Sequence, residues 1–565
     1  MNQKWTKLIA LFLVMLMLFS VVSCVALGGG NETSESESEE TPTEMTDEET
    51  EIETETETET ETETETETET ETETETEVET GTGTETSAET DTDTGTETGA
   101  ETDTDAGPET GSDTGEPVDP TTLGKVSDIK INDEISILTW SDAEHAEFCI
   151  EEIVGDAVSD EIYWRNRYVQ DQLGITLKWS GTAGNENNKT QFSWLVEASF
   201  LANDRFYDII ASHSRTMALV SSKGFLADLN AIENNYIDLS KAWWPASLSD
   251  NLAICDSLYF VTGDISTNML YHMSGVYCNL TLCGELNLED PIQLVLNGEW
   301  TLSKLMEMCG GLYKDADADG TKGLGDTWGF LADQDRLYQF YVGSDLAVTE
   351  RDETSKLVLS PDYTSEKLHS LVDRLSAFIS SPDVQGVSGS SVRVFATGNV
   401  LFTHNYLYYA EQQLNAVPFS YTILPTPKYD GEQDTYYTQV GAAMTLWGIM
   451  NDSSVEDKSN FSAVLEVLAY NAYNYTTEMV FQEVYKDVFS ETRDNTKMFE
   501  YIRNGIRIDR VEVLATVLFN DDVFCTNFNN AVWNGEKWSS VLSVFERVLK
   551  NYIKRVVQTY EQLEG

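Results

Sequence analysis

Ile135-Ser136-Ile137-Leu138-Thr139-Trp140, Ile175-Thr176-Leu177-Lys178-Trp179 and Tyr207-Asp208-Ile209-Ile210 decide the fold. Each is a short run rich in β-branched or aromatic residues, the composition of a strand. Between the first two, Glu161 to Leu173 sets Ile162, Tyr163, Asn166, Val169 and Leu173 along one side, which predicts a helix. A second helix is expected around Phe192 to Asn203. Strand–helix–strand units of this length build a parallel sheet with right-handed crossovers. Ligands of such sheets bind beyond the carboxyl ends of the strands. Here those ends are Thr139-Trp140-Ser141-Asp142 and Ala211-Ser212-His213-Ser214-Arg215. The class is therefore α/β. The chain closes on an amphipathic helix with Val541, Val544, Phe545, Val548, Leu549 and Tyr552 at helical spacing.

Outward from this region, ordinary globular composition runs from about Lys125 to Gly565. About 440 residues exceed what one hydrophobic core supports, so two lobes are expected. Residues 25–124 differ in character. From Glu51 to Glu79 Glu and Thr alternate almost without interruption. Both alternating positions are polar and every second one carries a like charge, so no face buries enough apolar area to offset chain entropy. Such a segment acts as a flexible linker, with a coil span of about 50–60 Å that self-repulsion extends and a stretched limit of about 330 Å.

The formal net charge is -65, from 99 Asp and Glu against 34 Lys and Arg. Residues 31–120 hold 36 of the acids and no Lys or Arg. The globular remainder is also acidic. Nucleic acid is excluded as a partner, because phosphate backbones are bound by clustered Lys and Arg. Direct docking on anionic lipid is disfavoured for the same reason.

Residues 1–24 read as a targeting signal. Lys4 and Lys7 precede an unbroken apolar run, Leu8 to Phe19, too short to span a bilayer. The run leads to Val21-Val22-Ser23-Cys24, which resembles the bacterial lipoprotein signal with Cys24 as the lipidated residue. An ordinary secretory peptide with a chance cysteine is the alternative. The expected location is the outer face of the membrane of a thick-walled bacterium, with membrane contact only through the lipid. Six other cysteines are too few for a disulfide scaffold and contain no Cys-x-x-Cys pair. Cys278 and Cys283 are left open between a disulfide and buried thiols.

One motif has its own chemistry. Asp315, Asp317, Asp319, Gly320, Thr321 and Asp326 match the spacing of a calcium loop. Three alternating carboxylates aim at one centre, Gly320 permits the sharp turn, and Thr321 offers its carbonyl. Asp326 stands where a longer Glu is usual. A structural calcium ion is the expectation, against a solvated acidic turn.

Several segments then carry a family likeness, in order. Tyr207-Asp208-Ile209-Ile210-Ala211 to Gly224-Phe225-Leu226-Ala227-Asp228-Leu229-Asn230 resembles the early lobe of extracellular solute-binding proteins of family 1, the sugar receptors of ABC importers. Ser257 to Gly263, leading to Gly275-Val276-Tyr277-Cys278-Asn279, resembles its crossing strand. Gly298-Glu299-Trp300-Thr301-Leu302 resembles its Trp-Thr helix start. Phe395 to Phe402 and Ile423 to Lys428 resemble its Phe-x-x-Gly and returning Leu-Pro segments. The likeness covers nearly all of residues 130–565. It implies a two-lobed, periplasmic-binding-protein-like (type II) fold with hinge-crossing strands. The first lobe would take about 125–265 and 420–470, the second about 275–415 and much of the C-terminal helical part. It further implies a monomeric, non-enzymatic receptor whose partners are a small solute and ABC permease subunits.

Sugar recognition needs flat apolar faces and planar polar groups. The first candidates are Ser212, His213 and Arg215, because they follow a strand of the first lobe. Maltose-type receptors often carry a carboxylate in this loop, where Ser214 stands here. Trp140 and Asp142 would line the first loop, and Asp264 with Ser266 would sit by the hinge. Asn405 and Tyr406, after His404, would enter from the second lobe, and Trp447 follows the returning strands. Trp243-Trp244 reads as core. Two other functions remain open. A carbohydrate-active enzyme needs two carboxylates about 5–9 Å apart across a cleft. The chain has five His and neither a His-Glu-x-x-His nor a Gly-x-Ser-x-Gly motif. A wall-associated carbohydrate-binding adhesin would suit the long tether. The resemblance favours the receptor, with an oligosaccharide as solute.

Overall fold

The computed structural model describes residues 119–389, 391–485, 493–518 and 523–563. Cys24, the signal segment and nearly all of the acidic linker lie outside them. The described body begins six residues ahead of Lys125. Asp119 and Pro120 are held by backbone acceptance, from Lys241 Nζ (2.9 Å) and Ala242 N (3.0 Å).

Strands β1 (Glu134–Trp140), β2 (Thr176–Thr182) and β3 (Ile209–His213) form the first sheet. β1 runs parallel to both others, which is the arrangement the alternating pattern predicts. The intervening helix Ala157–Leu173 is capped at both ends. Asp156 accepts from Ser159 N, and Gly174 (φ 69°) takes the left-handed conformation that ends a helix cheaply. Its inner face is Val158, Ile162, Asn166, Val169 and Leu173.

The chain then crosses to a second sheet of β4 (Ser274–Asn279), β5 (Trp328–Asp333), β6 (Val384–Val387), β7 (Val400–Tyr406) and β8 (Tyr421–Leu424). Their order is β8-β4-β7-β5-β6. β9 (Thr445–Ile449) returns to the first sheet, antiparallel to β3, giving the order β9-β3-β1-β2. The described body is therefore α/β, with two lobes each built on its own sheet and joined by segments that cross between them.

One assignment of a segment to a lobe differs from expectation. The returning segment Ile423-Leu424 lies in β8, paired with β4 in the second sheet, rather than with residues 430–470. The C-terminal helices are shared between lobes. Val455–Asn471 packs on Ala157–Leu173, Arg493–Asn504 on β8, and Val523–Asn534 on Glu366–Ile379. The last helix, Trp538–Glu561, touches both lobes. Trp538 Nε1 donates to the Tyr363 carbonyl (3.0 Å), and the Tyr560 hydroxyl meets Ser221 Oγ at 2.8 Å. Chain crossings fall near 261–274, 424–445 and 504–515, the last two joined by Thr438–Gln439 pairing with Ile506–Arg507. Cys278 and Cys283 are both free, buried thiols. Among the described residues no helix is long and apolar enough to cross a membrane.

Candidate functional site

Residues that follow the carboxyl ends of β1, β5 and β7 meet in a seam between the two sheets, and open α/β sheets place their ligands beyond such ends. At one flank of this seam the lobes meet through aromatic and charged side chains. Tyr406 ends β7. Arg336 lies over its ring at 4.6 Å, and the Arg336 Nε–H donates to Asn405 Oδ1 (3.2 Å). Tyr408 follows, roughly parallel to Tyr406 (centroids 6.2 Å) and stacked on Tyr409 (4.2 Å). The opposing groups are His272 from the first crossing, 5.0 Å from Tyr408, and His145 from the loop after β1, 5.6 Å away. His272 Nε2 meets Glu144 Oε2 at 3.4 Å. Gly441 of the second crossing lies against Tyr406; a Cβ there would stand 2.8 Å from the ring Cζ.

The electrostatics follow from this packing. The His272 hydrogen bond holds the Glu144 carboxyl below its usual range. Burial, helped by neighbouring His272, lowers His145 to about 4. His145 is therefore a neutral ring near pH 7, stacked on Tyr271 at 4.0 Å. Burial raises the Asp333 carboxyl, with donors at Gly389 and Asp335 pulling the other way.

The expected site residues divide. Asn405 and Tyr406 stand in this cluster. Asp142 sits at the end of β1, where its carboxylate accepts from Gly184 N (2.7 Å), Asn185 N (3.1 Å) and Asn188 Nδ2 (3.0 Å). It thus shapes the rim after β2. Arg215 is on the other flank. It pairs with Glu186 (2.6 Å) and donates from Nε to the Glu512 carbonyl (3.2 Å), so it ties the first lobe to the third crossing.

Six others are placed inside the body. Trp140 is 1% exposed and donates from Nε1 to Thr445 Oγ1 (3.0 Å). Trp447 is wholly buried against Phe148 and Trp179. Ser212 donates to the Gly184 carbonyl (3.0 Å) from a buried strand position. His213 belongs to the end of β3 rather than to a loop, and its Nδ1 accepts from Arg215 N (3.2 Å) at the start of helix Ser214–Ser221. Burial and the adjacent Arg215 lower it to about 3. Ser266 caps the short helix Thr267–Tyr271 and contacts buried Glu147. Asp264 is bound to Arg503 and to Thr477 Oγ1 (2.6 Å). It lines a cavity of about 610 Å3 shared with Trp244, Tyr473 and Arg503, none of them from the strand ends. His404 is likewise core, stacked on Phe330. Glu144, His145, His272, Arg336, Tyr408 and Tyr409 were not anticipated. Only the last two, adjacent to Tyr406 in sequence, offered a signal.

In the acidic loop, oxygens of Asp315, Asp317 and Asp326 lie within 4.8 Å of one another. Asp326 is buried and accepts from Ala316 N (3.1 Å), Gly323 N (2.9 Å) and the Tyr313 hydroxyl (3.2 Å). Asp315 Oδ1 is buried without a donor among the described residues. Gly320 takes φ 76° at the turn. Asp319 departs from expectation: its carboxylate caps Thr321 N (2.7 Å) and Oγ1 (2.8 Å) instead of joining the cluster.

No protein-family model matches the chain, and no curated protein matches it. Solved structures do. An ABC substrate-binding protein, Lmo0181 of Listeria monocytogenes in complex with cycloalternan, is 15% identical with a TM-score of 0.44, over 76% of this chain and 99% of that one. The cyclic alpha-maltosyl-1,6-maltose binding protein of Arthrobacter globiformis is 14% identical with a TM-score of 0.48, over 75% and 99%. The GacH receptor of Streptomyces glaucescens, solved unliganded and with acarbose, is 12% identical with a TM-score of 0.42, over 77% and 99%.

Proposed function

We propose that this chain is the extracellular substrate-binding lipoprotein of an ABC importer. It captures a small solute, an oligosaccharide, between its lobes and passes it on unaltered. The observation that carries this reading is the meeting of Tyr406, Tyr408 and Arg336 with His145, His272 and Glu144 across the seam at the strand ends. Tyrosine faces suit sugar C–H groups, and guanidinium, imidazole and carboxylate suit hydroxyls. The lobes close on the ligand only in proportion to its better affinity for the closed state. Lipid on Cys24 and the acidic linker keep the receptor at the outer membrane face, within reach of permease subunits. The working unit is a monomer, and no catalytic step is assigned to it.

A thermal-shift screen of the purified protein against oligosaccharides and peptides tests this. Stabilisation by an oligosaccharide is expected; hits confined to peptides overturn the solute class. For the sugar so identified, Tyr408→Ala is expected to weaken binding at least tenfold, about 1.4 kcal/mol. Calorimetric titration checks it, and unchanged affinity would remove Tyr408 from the site.

The loop 315–326 is proposed to hold a structural calcium ion through Asp315, Asp317 and Asp326, with Asp319 and Thr321 closing the turn. Millimolar calcium is expected to raise Tm, and a chelator to reverse the rise. Asp326→Asn should abolish the shift. Identical melting with and without calcium contradicts the proposal.

A further inference from the structure

Between the Tyr406 flank and the Arg215 flank, the seam is floored by two crossing segments. Gln439 of the second crossing donates from Nε2 to Glu512 Oε2 (2.9 Å), and its side chain also meets the Tyr406 hydroxyl. Glu512 belongs to the short helix Arg510–Val513 of the third crossing, and its carbonyl accepts from the Arg215 Nε–H (3.2 Å). Arg215 in turn pairs with Glu186 (2.6 Å). One chain of contacts therefore runs from the first lobe through Arg215, Glu512 and Gln439 to Tyr406. Arg336, over the Tyr406 ring, and Asn405 continue it into the second lobe. Arg215 and Tyr406 sit just after and at the carboxyl end of a strand, so the groups that join them lie under the place where a ligand rests.

The charges along this chain do not balance. Glu144, Glu186, Asp333 and Glu512 are carboxylates, and Arg215 and Arg336 are the guanidiniums that stand among them. At the rim Asp142 and Lys189 cancel each other. Four against two leaves a surplus of two negative charges, and a protonated His272 beside Glu144 would still leave one. Glu512 holds the middle of the chain. It is 6% exposed, and its charge is felt at the stacking face itself. Burial pushes the Tyr406 hydroxyl above its usual range, Arg336 pulls it down, and the Glu512 carboxylate raises it further.

We propose that Glu512 sets the charge class of the solute: the cleft takes an uncharged oligosaccharide and turns away the same sugar bearing a carboxylate. The inference rests on the receptor reading given above and adds the charge of its ligand. Two effects act in one direction. An ionised carboxylate only accepts hydrogen bonds, so solute hydroxyls, which donate, match Glu512 and a solute carboxylate does not. A solute anion closed into the seam also loses water and meets a surplus of like charge at short range. Arg215 and Arg336 do not offset this, because Glu186 answers the first, and Asp333 with the Tyr406 ring answers the second. Selectivity then comes from repulsion of the wrong ligand as well as from contact with the right one.

Calorimetric titration of the purified protein tests this with maltotriose, cellotriose and mannotriose, each beside the form carrying one uronic-acid residue in place of a hexose. At least one neutral trisaccharide is expected to bind saturably, at least tenfold tighter than its acid. In Glu512→Gln, which keeps the shape and removes the charge, that ratio is expected to fall at least threefold. Should that variant not fold, Glu144→Gln, at an exposed carboxylate, removes one charge of the same surplus and is expected to lower the ratio at least twofold. An acid that binds as tightly as its neutral partner, or a ratio that stays the same in the folded variants, overturns the inference and leaves the receptor reading standing. The receptor reading fails differently, with neither member of any pair binding, and the inference falls with it.

Discussion

Arg503→Ala is expected to destabilise the protein by about 3–5 kcal/mol, the range for removing one partner of a buried ion pair. Arg503 ends the helix Arg493–Asn504, which packs on the second sheet, and its partner Asp264 comes from the first lobe. Asp264 is 1% exposed and accepts from the Arg503 Nε–H (2.9 Å) and from Thr477 Oγ1. The Arg503 guanidinium also donates to the Ala242 carbonyl (2.7 Å) and lies over Tyr473 at 4.9 Å. Truncation leaves the Asp264 carboxylate buried without its counter-charge. Adding Asp264→Asn to the Arg503→Ala background should restore part of the loss, because the uncompensated charge goes with it. Urea unfolding checks both. A single-variant loss under about 1 kcal/mol would mean that the pair is solvated.

The second large effect is a pH dependence. Burial pushes the Glu466 carboxyl up from 4.5 to about 7. Its Oε2 accepts from Trp244 Nε1 (2.9 Å) and Asp238 N (3.2 Å), while Oε1 is buried without a donor among the described residues. The folded state therefore holds a proton that the unfolded state has released. This contribution to stability is fully present below about pH 4.5 and is lost as pH rises through about 7. At 1.36 kcal/mol per pH unit the loss is on the order of 3 kcal/mol. Glu466→Gln keeps the acceptor and removes the charge. It is expected to match the parent near pH 4 and to exceed it by about 2–3 kcal/mol at pH 8. A stability difference that does not change with pH would show that Glu466 titrates normally.

What was legible in the sequence is what is local. The strands at 135–140, 175–179 and 207–210 declare themselves by composition, and the helix over 161–173 by periodicity, whereas its first turn from Ala157 and its Asp156 and Gly174 caps came with the structure. Which face a side chain takes was not legible in strands buried on both sides, where alternation carries no signal. Trp140 and Trp447 look like cleft aromatics from their places at or near strand ends, yet both point into the core. Asp264 near a crossing looks like a ligand group until Arg503, 239 residues later, claims it. The seam cluster draws on the loop after β1, the start of β4, the end of β5 and the residues after β7. No local pattern joins Glu144, His272, Arg336 and Tyr408. Tyr406 was found because it ends a strand, and Tyr408 and Tyr409 were within reach of the same reasoning. The gathering of Asp315, Asp317 and Asp326 was foreseeable from spacing, because a twelve-residue loop is a local object. Only the turning away of Asp319 required coordinates.

Equilibrium dialysis of the purified protein against a mixture of oligosaccharides, with the retained and free pools read by mass spectrometry, tests the central claim most directly. One sugar species should be retained at one per chain, at unchanged mass, and retention should fall with Tyr408→Ala. Shorter products accumulating in the mixture, or no sugar retained above the level of a non-binding control protein, would contradict a receptor that clamps its solute without changing it.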